Sequence, residues 1–125
     1  MAKATIVFAD DDPLLRNVYL KKFSLLGYDV APAANGEEAL QLIAAKKPDL
    51  VVLDIGMPIL NGLQTVEKLP PPPRPYPVIL LTNFDQEDYR KRGRELGVDD
   101  FLIKKDMTIR SLLEMVERLL KKAGK

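Results

Sequence analysis

Four short apolar runs in this 125-residue sequence end on residues that could do chemistry. "ATIVFA" leads into Asp10, Asp11 and Asp12; "PDLVVLD" ends on Asp54; "VILLTN" ends on Thr82 and Asn83; "FLIKK" ends on Lys104 and Lys105. An aspartate that closes a run otherwise suited to complete burial is costly unless it is paired, hydrogen-bonded or bound to metal. If the runs are neighbouring strands of a parallel sheet, ligands bind beyond their carboxyl ends, and these polar residues converge on one rim. Charges about 4 Å apart repel by roughly 4 kcal/mol at an effective dielectric near 20, so two or three carboxylates in that space call for a cation. The sequence has neither cysteine nor histidine, which leaves a hard ion held by oxygen. Mg²⁺ fits, because it prefers carboxylate and carbonyl oxygens, keeps waters and pairs with phosphate. Lys104 adds a positive charge and Thr82 a hydroxyl. Together these groups describe a carboxylate nucleophile, Asp54, beside Mg²⁺, with an ammonium and a hydroxyl able to hold the oxygens of a transferring phosphoryl group.

The elements that must position these residues are legible as an alternation. Apolar runs at 4–9, 28–31, 50–53, 78–81 and 101–103 alternate with longer helical patterns, which implies a parallel sheet covered by helices on both faces. Leu15, Val18, Tyr19, Phe23 and Leu26 recur at helical spacing, with Asp12 as N-cap, Pro13 at the first helical position and Gly27 as the stop. "NGEEALQLIAAKK" reads as a helix capped by Asn35, and "NGLQTVEKL" as a short one ended by Pro70. The stripe Ile109, Leu112, Leu113, Val116 and Leu120 makes the last segment amphipathic and predicts a helix packed against the sheet edge. "PPPRPYP", residues 71–77, reads as a stiff surface connection; a polyproline II ligand for proline-binding domains is the alternative.

Composition sets the outer bounds. A chain of this length with 46% hydrophobic residues can bury one core, so residues 1–125 are expected to form a single domain. Acidic and basic residues number 18 and 19, and no global field argues for nucleic acid or a membrane surface. The N-terminal apolar run is too short and too soon interrupted by acids for a signal peptide or a membrane span, so a cytoplasmic location is expected.

With "VFADDDP", "VVLDIGMPILNG", "LLTN" and "FLIK" in this order, the whole chain resembles the receiver domains of bacterial two-component response regulators. The resemblance implies a doubly wound, flavodoxin-like (βα)5 fold with a five-stranded sheet of order 2-1-3-4-5. It also implies roles by position: Asp54 as phosphoacceptor, Asp11 and the Gly56 carbonyl as direct Mg²⁺ ligands, and Asp10 acting mostly through water. Thr82 would bind a phosphoryl oxygen, Lys104 would pair with the phosphoryl group, and Phe101 would move inward as Thr82 shifts. The expected partners are a histidine kinase, a phosphotransfer protein or a small phosphodonor, and a downstream protein target.

Two departures stand close to that chemistry. The family usually has a proline after the lysine, in a cis bond, where this chain has Lys105; and it usually has a small residue after the switch threonine, where this chain has Asn83. They support an alternative, a degenerate receiver that only binds partners. A second alternative is an aspartyl-phosphate phosphohydrolase similar to the haloacid dehalogenases, but those place an aspartate two residues after the nucleophile, where Gly56 stands. The leading expectation is a stand-alone receiver with no turnover of external substrates. The segment "DQEDYRKRGRELG" concentrates Arg90, Lys91, Arg92 and Arg94, either as a solvated helix face or as a dock for an acidic partner.

Overall fold

The computed structural model describes residues 2–83 and 85–125. Five strands form one parallel sheet: β1 (Thr5–Ala9), β2 (Asp29–Ala33), β3 (Leu50–Asp54), β4 (Val78–Thr82) and β5 (Asp100–Ile103), in the order β2-β1-β3-β4-β5. The helices between and after them are α1 (Pro13–Leu25), α2 (Gly36–Lys46), α3 (Gly62–Glu67), α4 (Glu87–Glu95) and α5 (Ile109–Lys122). This is the doubly wound order expected from the resemblance.

The central strands β3 and β4 are buried along their whole length, as strands covered on both faces must be, and the edge strands carry the exposure. Alternate residues feed two cores. Val7, Ala9, Val51, Leu53, Val78 and Leu80 meet Ala39 and Ile43 of α2 and Val66 of α3. Ile6, Phe8, Leu50, Val52, Ile79 and Leu81 meet Tyr19 and Phe23 of α1 and Leu112, Val116, Leu119 and Leu120 of α5. The last helix therefore covers a sheet face beside α1 and not the sheet edge, which corrects the sequence expectation. Three residues of its stripe, Leu112, Val116 and Leu120, are buried together with Leu119, and only a face fed by alternate residues of several strands offers that much apolar surface.

Local chemistry sets the helix starts. Asp12 accepts the Leu14 N–H at 3.0 Å and the Leu15 N–H at 3.4 Å, with Pro13 at the first helical position. Asn35 accepts the Glu38 N–H at 2.9 Å. Helices α3 and α5 begin with reciprocal caps, Asn61 with Gln64 and Thr108 with Ser111. Helix α1 ends before Gly27, whose φ is +97°. The proline-rich connection is pinned down: Arg74 donates to the carbonyls of Pro70, Leu96 and Gly97, and Tyr76 and Pro77 are buried. Its segment is a connection between α3 and β4, as the simpler sequence reading expects.

Candidate functional site

The sheet register brings the polar residues together. Ala9 pairs with Leu53, Asp54 with Leu81, and Thr82 with Ile103, so Asp10, Asp54, Thr82 and Lys104 fall at the carboxyl ends of four adjacent strands. Asp54 and Asp10 are both almost wholly buried, at 1% and 0% exposure, while Asp11 is exposed above them. One carboxylate oxygen from each of Asp10, Asp11 and Asp54 lies within 4.8 Å of the other two.

Lys104 binds the two buried acids together. Its Nζ donates to Asp54 Oδ2 at 3.0 Å and lies 2.9 Å from Asp10 Oδ2. Only the first contact has hydrogen-bond alignment, so Asp10 Oδ2 is a buried oxygen with an ion-pair neighbour and no hydrogen bond. The remaining oxygens are satisfied by backbone: Asp54 Oδ1 accepts the Gly56 N–H at 3.1 Å, and Asp10 Oδ1 accepts the Asp12 N–H at 2.9 Å. Burial pushes the Asp10 pKa up, the Asp54 charge adds to it, and the Asp12 N–H and Lys104 oppose it. For Lys104, burial pulls down, but its close polar contacts with the carboxylates of Asp10 and Asp54 outweigh that, and its pKa lies above the ordinary lysine value.

After Ile103 the chain turns through a 3-10 segment, Lys104–Asp106, and Lys104 reaches the pocket although Lys105 replaces the proline. Among the described residues the one cis peptide is Pro72–Pro73, so the Lys104–Lys105 bond is trans. Thr82 is buried at the end of β4 and Asn83 beyond it is exposed. Phe101 is half-buried, with its ring filling the space over Gly93 and the Arg90 guanidinium 5.5 Å from its centroid. On α4, Arg90, Arg92 and Arg94 pair with Asp85, Glu67 and Glu87, which leaves Lys91 as the fourth cation of that group.

Three features escaped sequence reasoning. Gly62 starts α3 directly beneath the acceptor: a Cβ there would come within 2.7 Å of the Asp54 carbonyl oxygen, so only glycine allows the approach. Its signal was the Asn-Gly pair, which reads equally well as an ordinary turn. Ile59, in the loop after β3, holds φ at +69° with its side chain 68% exposed, a strained conformation for a β-branched residue. Arg16 Nη1 donates to the Asp10 carbonyl at 2.6 Å. Nothing in residue spacing announces either of the last two.

The site's donors fit a divalent cation. Three carboxylates converge, and one buried oxygen among them, Asp10 Oδ2, has no hydrogen bond. No helix in the described residues is long and apolar enough to cross a membrane.

Known proteins show the same arrangement of elements. Residues 6–117 match the response regulator receiver domain family. The chain is 38% identical over 117 residues to the response regulator MprA of Mycolicibacterium vanbaalenii, covering 94% of this chain and 50% of that one. It is 37% identical over 124 residues to the probable transcriptional regulator ycf27 of Porphyridium aerugineum, covering 94% and 51%. The chain thus spans about half the length of the curated relatives it matches. Among solved structures, the receiver domain of the Francisella response regulator 1452 superposes with a TM-score of 0.87 at 32% identity, covering 96% of this chain and 98% of that one. A fold of order 2-1-3-4-5, an acidic pocket at its carboxyl rim and a family match across nearly the whole chain agree: the protein belongs to the response regulator receiver domains of two-component signalling.

Proposed function

We propose that the chain accepts a phosphoryl group on Asp54 in a Mg²⁺-dependent reaction and thereby changes which protein it binds. The observation that carries this reading is the Lys104 ammonium held between the buried carboxylates of Asp54 and Asp10, with Asp11 within 4.8 Å of both. Asp54, Asp11 and the Gly56 carbonyl would hold Mg²⁺, with Asp10 acting through water. When bound, the ion neutralises the carboxylates and the charge on the incoming phosphoryl group. A carboxylate oxygen of Asp54 forms the new bond to phosphorus, and the bond from phosphorus to the donor breaks with its electron pair left on the donor. Lys104 moves its charge from the free carboxylate to the phosphoryl oxygens, and the Thr82 hydroxyl donates to one of them. The donor is a histidine kinase, a phosphotransfer protein or a small phosphodonor.

That Lys104 reaches Asp54 with Lys105 behind it supports an acceptor over a degenerate binding module. Gly56, where a hydrolase would place an acid, supports acceptance without turnover of external substrates. A receiver domain over residues 1–125, cytoplasmic and acting through a protein target, accompanies this reading. Incubation with acetyl phosphate and Mg²⁺, followed by intact-mass measurement, tests it: one phosphoryl group should be gained by the parent, and none with EDTA or in Asp54→Asn. Unchanged gain in Asp54→Asn would overturn the assignment.

A further inference from the structure

Asp10 is fixed from three sides. Its N–H donates to the Ala33 carbonyl at 3.0 Å, its Oδ1 accepts the Asp12 N–H at 2.9 Å, and its own carbonyl accepts Arg16 Nη1 at 2.6 Å. The third contact is unusual in its economy. Arg16 is half-buried near the start of α1, within reach of a loop that carries three aspartates, yet among the described residues it forms no ion pair with any carboxylate. Its charge strengthens a hydrogen bond to a neutral main-chain oxygen. Arg16 therefore takes no carboxylate oxygen from the cluster, where Lys104 is the one side-chain cation paired with Asp10 and Asp54 among the described residues and one oxygen each of Asp10, Asp11 and Asp54 lies within 4.8 Å of the others.

We propose that Arg16 is a positioning residue for the divalent-cation site: it ties the main chain of the acidic loop to α1 and so presents Asp10 and Asp11 in a geometry ready for the ion. The inference rests on the Mg²⁺-dependent acceptor reading above. Groups that orient metal ligands without touching the ion typically contribute 10–100-fold in affinity, and a single half-buried anchor on the main chain belongs at the low end, about tenfold.

Arg16→Ala removes the anchor, and Arg16→Met removes it while keeping the apolar stem; Arg16→Lys restores one donor without the planar fork. Mg²⁺ affinity of each is measured by calorimetric titration, and amide exchange of Asp12 is followed in EDTA, where no ion contributes. The expected result is Mg²⁺ binding weaker by about tenfold in Arg16→Ala and Arg16→Met, partly recovered in Arg16→Lys. Faster Asp12 exchange should accompany it, as the Asp10–Asp12 contact loosens. Phosphorylation by acetyl phosphate should return towards the parent rate once Mg²⁺ is saturating. If the parent binds Mg²⁺ and folded Arg16→Met binds it equally well, the role of Arg16 is wrong and the acceptor reading survives. If the parent itself binds no Mg²⁺, both fall together.

Discussion

At the amino ends of the strands, Asp49 accepts the Thr5 N–H at 2.8 Å and Lys125 Nζ at 3.0 Å, and Asp99 accepts the Val78 N–H at 2.8 Å. At the carboxyl ends, Asp10 keeps one buried oxygen without a hydrogen bond and shares a single ammonium with Asp54. The residue type is the same and the outcome is opposite. The Thr5 N–H, with Lys125, holds the Asp49 carboxyl below the usual carboxylate range despite partial burial. Burial, with the charge of Asp54, holds Asp10 above it. One end uses aspartate to close strand backbones; the other buries carboxylate charge that the single Lys104 ammonium offsets only in part. A polar cluster that costs stability in the free protein is a candidate for function for that reason.

The sign of each contribution follows from linkage. Asp49, with a lowered folded pKa, adds stability that is present above the unfolded value of ~4 and is lost as pH falls through the lowered one. Asp10, with a raised folded pKa, adds stability fully present below ~4 and lost as pH rises through its folded value. The same substitution should therefore act in opposite directions at the two ends. In metal-free buffer near neutral pH, Asp49→Asn should cost about 1 kcal/mol, because the half-exposed Lys125 pair contributes little and the Thr5 contact is weakened. Asp10→Asn should gain about 1 kcal/mol, a rise of roughly 4 °C in melting temperature for a domain of this size. Denaturant melts of both variants at pH 7 and pH 4 check this, and the Asp10→Asn advantage should shrink at the lower pH. Two losses, or two gains, would break the contrast.

A smaller effect belongs to the strained loop beside the acceptor. Ile59 holds a left-handed φ of +69° with an exposed side chain, so little packing is lost on replacement. Ile59→Asn, a residue that tolerates this region, should stabilise the metal-free protein by up to about 1 kcal/mol. No change in the urea midpoint would show that the loop stores no such strain.

What sequence could show divides along the same line. The alternation of apolar runs, the Asp12–Pro13 start of α1 and the polar strand ends were readable because backbone period and capping chemistry are local. The convergence of Asp10, Asp54 and Lys104 was readable only by assuming a parallel sheet, and the register then supplied it. The seat of α5 was not readable, since an amphipathic stripe shows that a helix buries one face and says nothing about which surface receives it. Strand β2 runs to Ala33, through Pro32 and two residues past the apolar run at 28–31, because an edge strand tolerates a residue without an N–H. The Arg16 contact with the Asp10 carbonyl has no spacing signature, because any nearby carbonyl could have served.

Repulsion at the acidic end, only partly offset by Lys104, should be relieved when a divalent cation binds. Thermal melts of the parent and of Asp11→Asn across a Mg²⁺ titration test it most directly. Binding to the native state alone stabilises by about 2.7 kcal/mol at a hundredfold excess over the dissociation constant, so the parent should melt progressively higher as Mg²⁺ is added. Asp11→Asn should melt above the parent in EDTA and gain little from the ion. A parent that ignores Mg²⁺, or an Asp11→Asn variant that responds as fully as the parent does, would contradict the claim.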